Sequence, residues 1–305
     1  MGQIAFLFAG QGAQAPGMGA AFYEASPVAK AVFDAVEARR PGTLEQCFRG
    51  DGETLRQTRN TQPCLFATDL ACAMAAVEAG LRADCCAGFS LGELCAVAFA
   101  GILPLEDAIR LVICRGEAMQ RCSDAHPGAM AAVLKLTADQ VEDICAGIEN
   151  AWPVNYNCPG QTVVACAEAQ LPVITARVKD AGGRCMPLKV GGSFHTPVMR
   201  PAAEALASML QGMEIREPTL PVYANRTAGP YAAGSAKELL SLQASSPVRW
   251  QQTLEAMAAA GADTFIEFGP GTALAGLVKR TLPGARAFSV SDPEGLEACL
   301  KEIRG

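Results

Sequence analysis

Short apolar runs alternate with longer stretches of helical spacing along most of the chain. QIAFLFAG (3–10) is almost continuously apolar and ends on glycine, the pattern of a strand buried on both faces. Residues 64–79, CLFATDLACAMAAVEA, place apolar side chains at helical spacing. ADCCAGFS (83–90) predicts a second strand, LGELCAVAFAGIL (91–103) a helix starting where it ends, and PLEDAIRLVICRGEAMQRC (104–122) another helix. Further on, LPVYANRT (220–227) reads as strand and turn, and DTFIEFGPG (263–271) as a strand running into a glycine turn. Strands alternating with helices imply an α/β fold with a mostly parallel sheet.

The middle of the chain breaks that rhythm. AMAAVLKL (129–136) predicts a strand. TADQVEDICAGI (137–148) predicts a helix with Thr137 as N-cap and Gln140 completing a capping box. PVNYNCPGQTVVAC (153–166) reads as strand, turn and strand, LPVITARVKDAG (171–182) as a helix, and RCMPLKV (184–190) as a last strand. This β-α-β-β-α-β order matches a ferredoxin-like unit. A small subdomain, 126–193, is therefore expected within a large one made of 1–125 plus 194–305.

Composition narrows the function classes. The 305 residues are 50% hydrophobic and 18% charged, values of a globular chain with length enough for a large core. A net charge of -6 without a Lys/Arg block argues against nucleic-acid binding. Thirteen cysteines, an odd number with no C-x-x-C pair, read as free buried thiols of a reduced, cytoplasmic protein. With two histidines and no C-x-x-C pair, no metal site is expected. The first apolar run is too short and lacks the basic flank of a signal peptide, and no stretch of 18 uncharged apolar residues predicts a membrane span.

GFSLGE (88–93) contains G-x-S-x-G. The spacing suits a strand-to-helix turn that exposes a nucleophilic hydroxyl on Ser90, and equally a serine capping a helix. A serine nucleophile needs a base, and histidine is the usual one. His126, in SDAHPGAM before Pro127, is expected to be exposed and inert. His195, in VGGSFHTPVM, sits on a glycine-rich turn at a subdomain boundary, as a base would, or as a capping or packed histidine would. An oxyanion needs preorganised N–H donors. Leu91, after the serine, would supply one, and Gln11, in GQGAQAPGMG at the first strand end, a second. That glycine loop is not a P-loop. Gly10, Gly12 and Ala15 fit a dinucleotide fingerprint, but Pro16 follows at once and no acidic residue ends a second strand some 20 residues on.

AGQGAQ, GFSLGE, CRGEAMQ (114–120), NCPGQ (157–161), GSFHTPVM (192–199), SPVRW (246–250) and FGPG (268–271) occur in an order and spacing that resemble the malonyl-CoA:acyl-carrier-protein transacylases of fatty acid synthesis and the related acyltransferase domains of polyketide synthases. The resemblance covers essentially the whole chain. It implies an α/β-hydrolase-like large subdomain with a ferredoxin-like insert. It also implies a ping-pong transfer of malonyl from coenzyme A, through a malonyl-serine, to the phosphopantetheine thiol of acyl carrier protein. By resemblance, Ser90 is the nucleophile, His195 the base and later the acid, and Gln11 and Leu91 the oxyanion donors. Arg115 is the clamp for the malonyl carboxylate, and the carbonyl of Gln243 orients the histidine. The partners implied are malonyl-CoA and acyl carrier protein, with no cofactor beyond the coenzyme A thioester as substrate and the phosphopantetheine carried by the partner. A monomer is expected, with neither nucleic acid nor membrane as partner.

The residues themselves leave alternatives. Arg115, on an apolar helix, could be a snorkelling surface arginine. Asn157 and Gln161 read as turn chemistry and FGPG as a structural turn. Phe89 stands where the family usually has histidine, and should make the wall beside Ser90 drier. Ser193–Phe194 ahead of His195 looks like the malonyl-preferring rather than the methylmalonyl-preferring branch. The competing functions are a serine thioesterase or esterase of the same fold, an acyltransferase of other acyl-CoA specificity, and a non-catalytic carrier-binding relative.

Overall fold

The structure, a computed structural model, describes residues 2–304. Its strands are β1 (Gln3–Phe8), β2 (Cys85–Gly88), β3 (Gly128–Leu134), β4 (Ala151–Cys158), β5 (Gln161–Ala167), β6 (Arg184–Pro187), β7 (Val222–Tyr223), β8 (Ala262–Phe268) and β9 (Arg286–Val290). The uninterrupted apolar character of the first run is explained by its place. β1 is the middle strand of a five-stranded sheet in the order β7-β2-β1-β8-β9, paired in parallel throughout. Its side chains alternate between two buried faces. Phe6 and Phe8 pack with Phe99 and Phe268 on one side, the rings of Phe6 and Phe268 4.6 Å apart, while Ala5 and Leu7 join Phe265 and Trp250 on the other.

The chain between β2 and β7 carries a second, antiparallel sheet in the order β4-β5-β3-β6. Helices Ala138–Ala146 and Leu171–Asp180 follow its first and third strands, which completes the ferredoxin-like arrangement. Thr137 and Gln140 form the expected capping box. Ala131, Val133, Val164 and Cys166 face these helices. Met130, Ala132, Val163 and Ala165, one residue out of phase, face the large sheet's core. Two junctions fix how the sheets meet. Pro127 bridges Gly192 where the chain enters and leaves. The edge of β4 is covered by Val248, whose N–H donates to the Val154 carbonyl at 2.8 Å while its carbonyl accepts from Tyr156 N at 2.9 Å.

Some elements depart from expectation. The helix predicted over 64–79 runs Thr58–Glu78, starting six residues earlier, with Pro63 inside it. Proline in the second turn has no N–H to give the Arg59 carbonyl and its ring crowds that carbonyl, a cost the packing of this buried helix must offset. The strand predicted in LPVYANRT is only Val222–Tyr223. Helices Ala20–Ala25, Pro27–Arg39, Thr43–Arg49 and Pro293–Arg304, and strand β9, were not anticipated from the apolar runs. β9 is a half-buried edge strand without a continuous apolar run. The thirteen cysteines are free, all but Cys114 and Cys185 buried. Among the described residues no helix is long and apolar enough to cross a membrane.

Candidate active site

β2 ends at Gly88 and a helix, Gly92–Phe99, begins four residues later. Ser90 occupies the turn between them with φ 53°, in the left-handed region. The helix is capped at Leu91 without any side-chain bond, so Ser90 is not a helix cap. Both flanking glycines are needed because of close approach. A Cβ on Gly88 would overlap the Gly92 backbone, and one on Gly92 would overlap the carbonyls of Phe8 and Ala9. Asn225, just past β7, braces the turn: its Oδ1 accepts from Ser90 N at 2.7 Å and its Nδ2 donates to the Gly88 carbonyl at 2.6 Å.

His195 follows the last strand of the insert and also has a left-handed backbone, φ 64°, held by its N–H donating to the Ala244 carbonyl. Its Nε2 lies 2.8 Å from Ser90 Oγ. Its Nδ1 faces two carbonyls, Ser246 at 3.0 Å and Gln243 at 3.2 Å. Carbonyls only accept, so they assign the ring proton to Nδ1 and leave the Nε2 lone pair for the serine hydroxyl. Burial, with Arg115 adding to it, pushes the imidazole down to about 4, so it is neutral at neutral pH and able to take a proton. His126 is exposed at a helix end.

Arg115 is 1% exposed, which rules out a snorkelling surface residue. Its Nη2 donates to Ser90 Oγ at 3.1 Å and to Gln243 Oε1 at 2.7 Å, its Nε to the same Gln243 oxygen at 3.1 Å, and its Nη1 to Gln62 Oε1 at 2.6 Å. All of these acceptors are neutral. Burial pushes the guanidinium down to about 10, partly offset by Glu93, and it remains a cation at neutral pH. Gln243 does more than present its carbonyl to the histidine. Its side chain ties Arg115 to the elbow, Nε2 donating to the Ser90 carbonyl at 2.5 Å. Glu93, on the elbow helix, accepts from Tyr231 at 2.6 Å and is pushed up to about 7 by burial.

Gln11 and Leu91 lie at the C-terminal ends of neighbouring strands, where Phe8 pairs with Gly88 and Phe89 N donates to the Phe8 carbonyl. Neither Gln11 N–H nor Leu91 N–H has an acceptor among the described residues. Leu91 also caps the helix that starts at Gly92, the electropositive end of that helix. Two cavities meet at Gln11. One, of about 520 Å³, is walled by Phe89, Asn155, Asn157 and Gln161, and the other, of about 560 Å³, by Thr58, Ser123, Lys189 and Phe194. The structure thus brings Ser90, His195, Arg115 and Gln243 into one hydrogen-bonded cluster and sets Gln11 and Leu91 beside it.

Sequence reasoning did not single out Asn225, Gln62, Thr58 or Asn155. Asn157 does not sit in the hairpin turn but in β4 beside the cavity, and the Oδ1 atoms of Asn155 and Asn157 are buried without a partner. Two asparagines at alternate positions of one strand were the available signal. They share a face, and a buried carboxamide needs a partner.

Residues 5–292 match the acyl transferase domain family. The malonyl CoA-acyl carrier protein transacylase of Bacillus subtilis (strain 168) is 38% identical over 311 residues, covering 100% of this chain and 98% of that protein. The crystal structure of malonyl CoA-acyl carrier protein transacylase from Clostridium perfringens superposes with a TM-score of 0.95 at 35% identity, over 99% of this chain and 97% of that one. A malonyl-transacylase solved in complex with a type II polyketide synthase acyl-carrier protein superposes with a TM-score of 0.94 at 33% identity, over 98% of this chain and 99% of that one.

Proposed function

The chain belongs to the acyl transferase domain family, and on that premise we propose how its residues carry the reaction. It transfers a malonyl group from malonyl-CoA to the phosphopantetheine thiol of acyl carrier protein. Ser90 Oγ attacks the thioester carbonyl as its proton passes to His195 Nε2. The N–H groups of Leu91 and Gln11 hold the oxyanion of the tetrahedral intermediate. Collapse breaks the C–S bond, and the departing thiolate takes the proton from His195. In the second half, His195 takes the proton of the carrier's thiol, whose sulfur attacks the malonyl ester. Collapse then returns the proton to Ser90 Oγ.

The observation that carries this reading is the buried cation beside the nucleophile. Arg115 reaches Ser90 Oγ at 3.1 Å and has no carboxylate partner among the described residues. A malonyl ester on Ser90 brings the missing carboxylate, and the guanidinium can bind it through two charge-assisted hydrogen bonds. Nucleophile, base and clamp are all protein groups, so coenzyme A enters as substrate and no resident cofactor is required. The cluster is complete within one chain, so the proposed reaction needs no residue from a second subunit. The free cysteines support a reducing, cytoplasmic setting.

The test is covalent. Incubation with malonyl-CoA should leave one malonyl group on Ser90 by intact-mass and peptide analysis. Adding the phosphopantetheine-bearing carrier should move it to the carrier's thiol. An adduct on another residue, or release as free malonate without transfer to the carrier, rejects the reading.

A further inference from the structure

A chain of side-chain hydrogen bonds leads from Arg115, away from Ser90, to the loop that carries Gln11. Arg115 Nη1 donates to Gln62 Oε1 at 2.6 Å, Gln62 Nε2 donates to Thr58 Oγ1 at 3.0 Å, and Thr58 Oγ1 donates to Gln11 Oε1 at 2.6 Å. One residue sets the direction of the whole chain. A guanidinium can only donate, so the oxygen of Gln62 must face it and the Gln62 amide nitrogen must face Thr58. The threonine hydroxyl, already accepting that bond, must send its own proton onward, and Gln11 Oε1 receives it.

The chain is held rigidly at both helices. Thr58 is the first residue of helix Thr58–Glu78, and its N–H donates to Gln120 Oε1 at 3.0 Å on the helix that bears Arg115. Those two helices come together next to Arg115: a Cβ on Gly116 would lie 3.2 Å from Arg59 Cα and from the Thr58 carbonyl. The Gln62 side chain has one further hydrogen-bond partner among the described residues, Met119 Sδ at 3.3 Å, a weak acceptor. Among the described residues, Thr58 is therefore the side chain that joins by hydrogen bonds the group that would read the substrate's carboxylate to the loop that would hold the oxyanion.

We propose that Thr58 is a positioning residue that couples carboxylate recognition at Arg115 to the placement of the Gln11 oxyanion donor, making acylation faster for acyl groups that end in a carboxylate. This rests on the malonyl-transfer reading. When a carboxylate engages Arg115, the fork keeps its useful plane while Gln243 holds Nε and Nη2 and Gln62 holds Nη1, and Gln62 is oriented by Thr58. An acetyl group does not use the fork and gains only the general placement of the loop.

The test compares Thr58→Val, which has the same shape without the hydroxyl, with Thr58→Ser, which restores it, and with Gln11→Met, which keeps the backbone N–H but removes the acceptor. Acylation of Ser90 by malonyl-CoA and by acetyl-CoA is followed by rapid-quench mass spectrometry, together with steady-state kcat and KM. The malonyl-to-acetyl ratio of acylation rates should fall roughly tenfold in Thr58→Val and Gln11→Met, the size expected of one lost buried hydrogen bond, and stay within about twofold of wild type in Thr58→Ser. The loss should appear in kcat, with KM for malonyl-CoA nearly unchanged. Equal losses for both substrates, an unchanged ratio, or no rescue by Thr58→Ser would overturn the coupling. Should Thr58→Val fail to fold, Gln11→Met alone decides. A wild-type protein that forms no malonyl-Ser90 overturns the functional reading, and the coupling with it; an unchanged ratio with the adduct present overturns the coupling alone.

Discussion

Ser90 and His195 both hold left-handed backbones, φ 53° and 64°, and from those positions Oγ and Nε2 meet at 2.8 Å. Neither residue is glycine, so each conformation costs about 1–2 kcal/mol. The cost is borne by the surrounding bonds: Asn225 and Gln243 on the elbow, Ala244 on the histidine. Strain concentrated on two touching residues is the pattern expected of a site whose geometry is imposed by the fold.

The strain makes a stability prediction that inverts the usual order. Ser90→Gly should be more stable than Ser90→Ala by about 1 kcal/mol, because only glycine adopts this φ freely. Neither variant should form an adduct. Urea unfolding of the two proteins decides it. An alanine variant as stable as the glycine variant would mean that the elbow relaxes without strain.

The pH dependence of acylation follows from His195. Only the neutral imidazole accepts the serine proton, so the rate rises with pH through the histidine's own midpoint. Burial and Arg115 set that midpoint at about 4, well below the ordinary 6.5. The acylation rate should therefore already be nearly flat on approaching neutral pH. The reference value alone would place the rising limb near 6.5. Removing the cation with Arg115→Ala should move the limb upward. A wild-type limb near 6.5, or one unmoved in the variant, contradicts the assignment.

Phe89 bears on the cavity rather than on the proton path. Its ring packs edge-on against Trp250, centroids 5.3 Å apart, and it lines the cavity of Asn155 and Asn157. The ring is partly buried against Trp250 and forms an apolar part of that cavity's wall. Phe89→His should keep malonyl transfer within roughly tenfold, the 1.4 kcal/mol scale of a changed wall contact. A folded variant without activity would place this position in the mechanism.

Much of the fold and part of the site could be read from residue order. The α/β alternation, the ferredoxin-like insert and the Thr137 capping box were legible because burial on one or two faces leaves a period in the sequence. Ser90 and His195 could be named because each sits in a glycine-containing turn, Gly88 and Gly92 flanking the serine and Gly191 and Gly192 preceding the histidine. Asn225, Gln62 and Thr58 could not. They come together only through the meeting of β7, β2 and two helices distant in sequence, and a carboxamide or hydroxyl carries no local sign of the partner it will find. The dual use of Gln243, carbonyl to the histidine and side chain to Arg115, was invisible for the same reason. Pro63 masked the true start of its helix, because proline ordinarily reads as a boundary.

Glu93 links the site to stability. Burial raises its carboxyl from the ordinary 4.5 to about 7. Between those values the folded protein holds a proton that the unfolded chain has released, so this group's stabilising contribution is complete below pH 4.5 and is lost as pH rises toward 7. The full effect is on the order of 3 kcal/mol, from about 1.4 kcal/mol per unit. Glu93→Gln keeps an acceptor for Tyr231 and removes the titration. Its stability relative to wild type should climb across that window. Parallel pH profiles for the two proteins would show that Glu93 titrates as an ordinary carboxylate.

The choice of acyl group should rest on Arg115. Malonyl differs from acetyl by one carboxylate, and in a buried site that charge must be paired, since leaving it unpaired costs about 3–5 kcal/mol. The guanidinium is already desolvated and aimed at Ser90, with Gln62 and Gln243 fixing its plane. Arg115→Ala should cut malonyl transfer by roughly 10²-fold or more, as each 1.4 kcal/mol is tenfold. Acetyl-CoA gives the arginine nothing to pair with, so its transfer should hold steady or rise. Arg115→Lys keeps the charge but loses the planar fork and should fall between the two. Its ammonium has three donors but not the planar pair that matches a carboxylate. The deciding quantity is the malonyl-to-acetyl ratio of kcat/KM in wild type and Arg115→Ala. A ratio that does not change would leave Arg115 a structural brace between Gln62 and Gln243, and the specificity would have to come from another group.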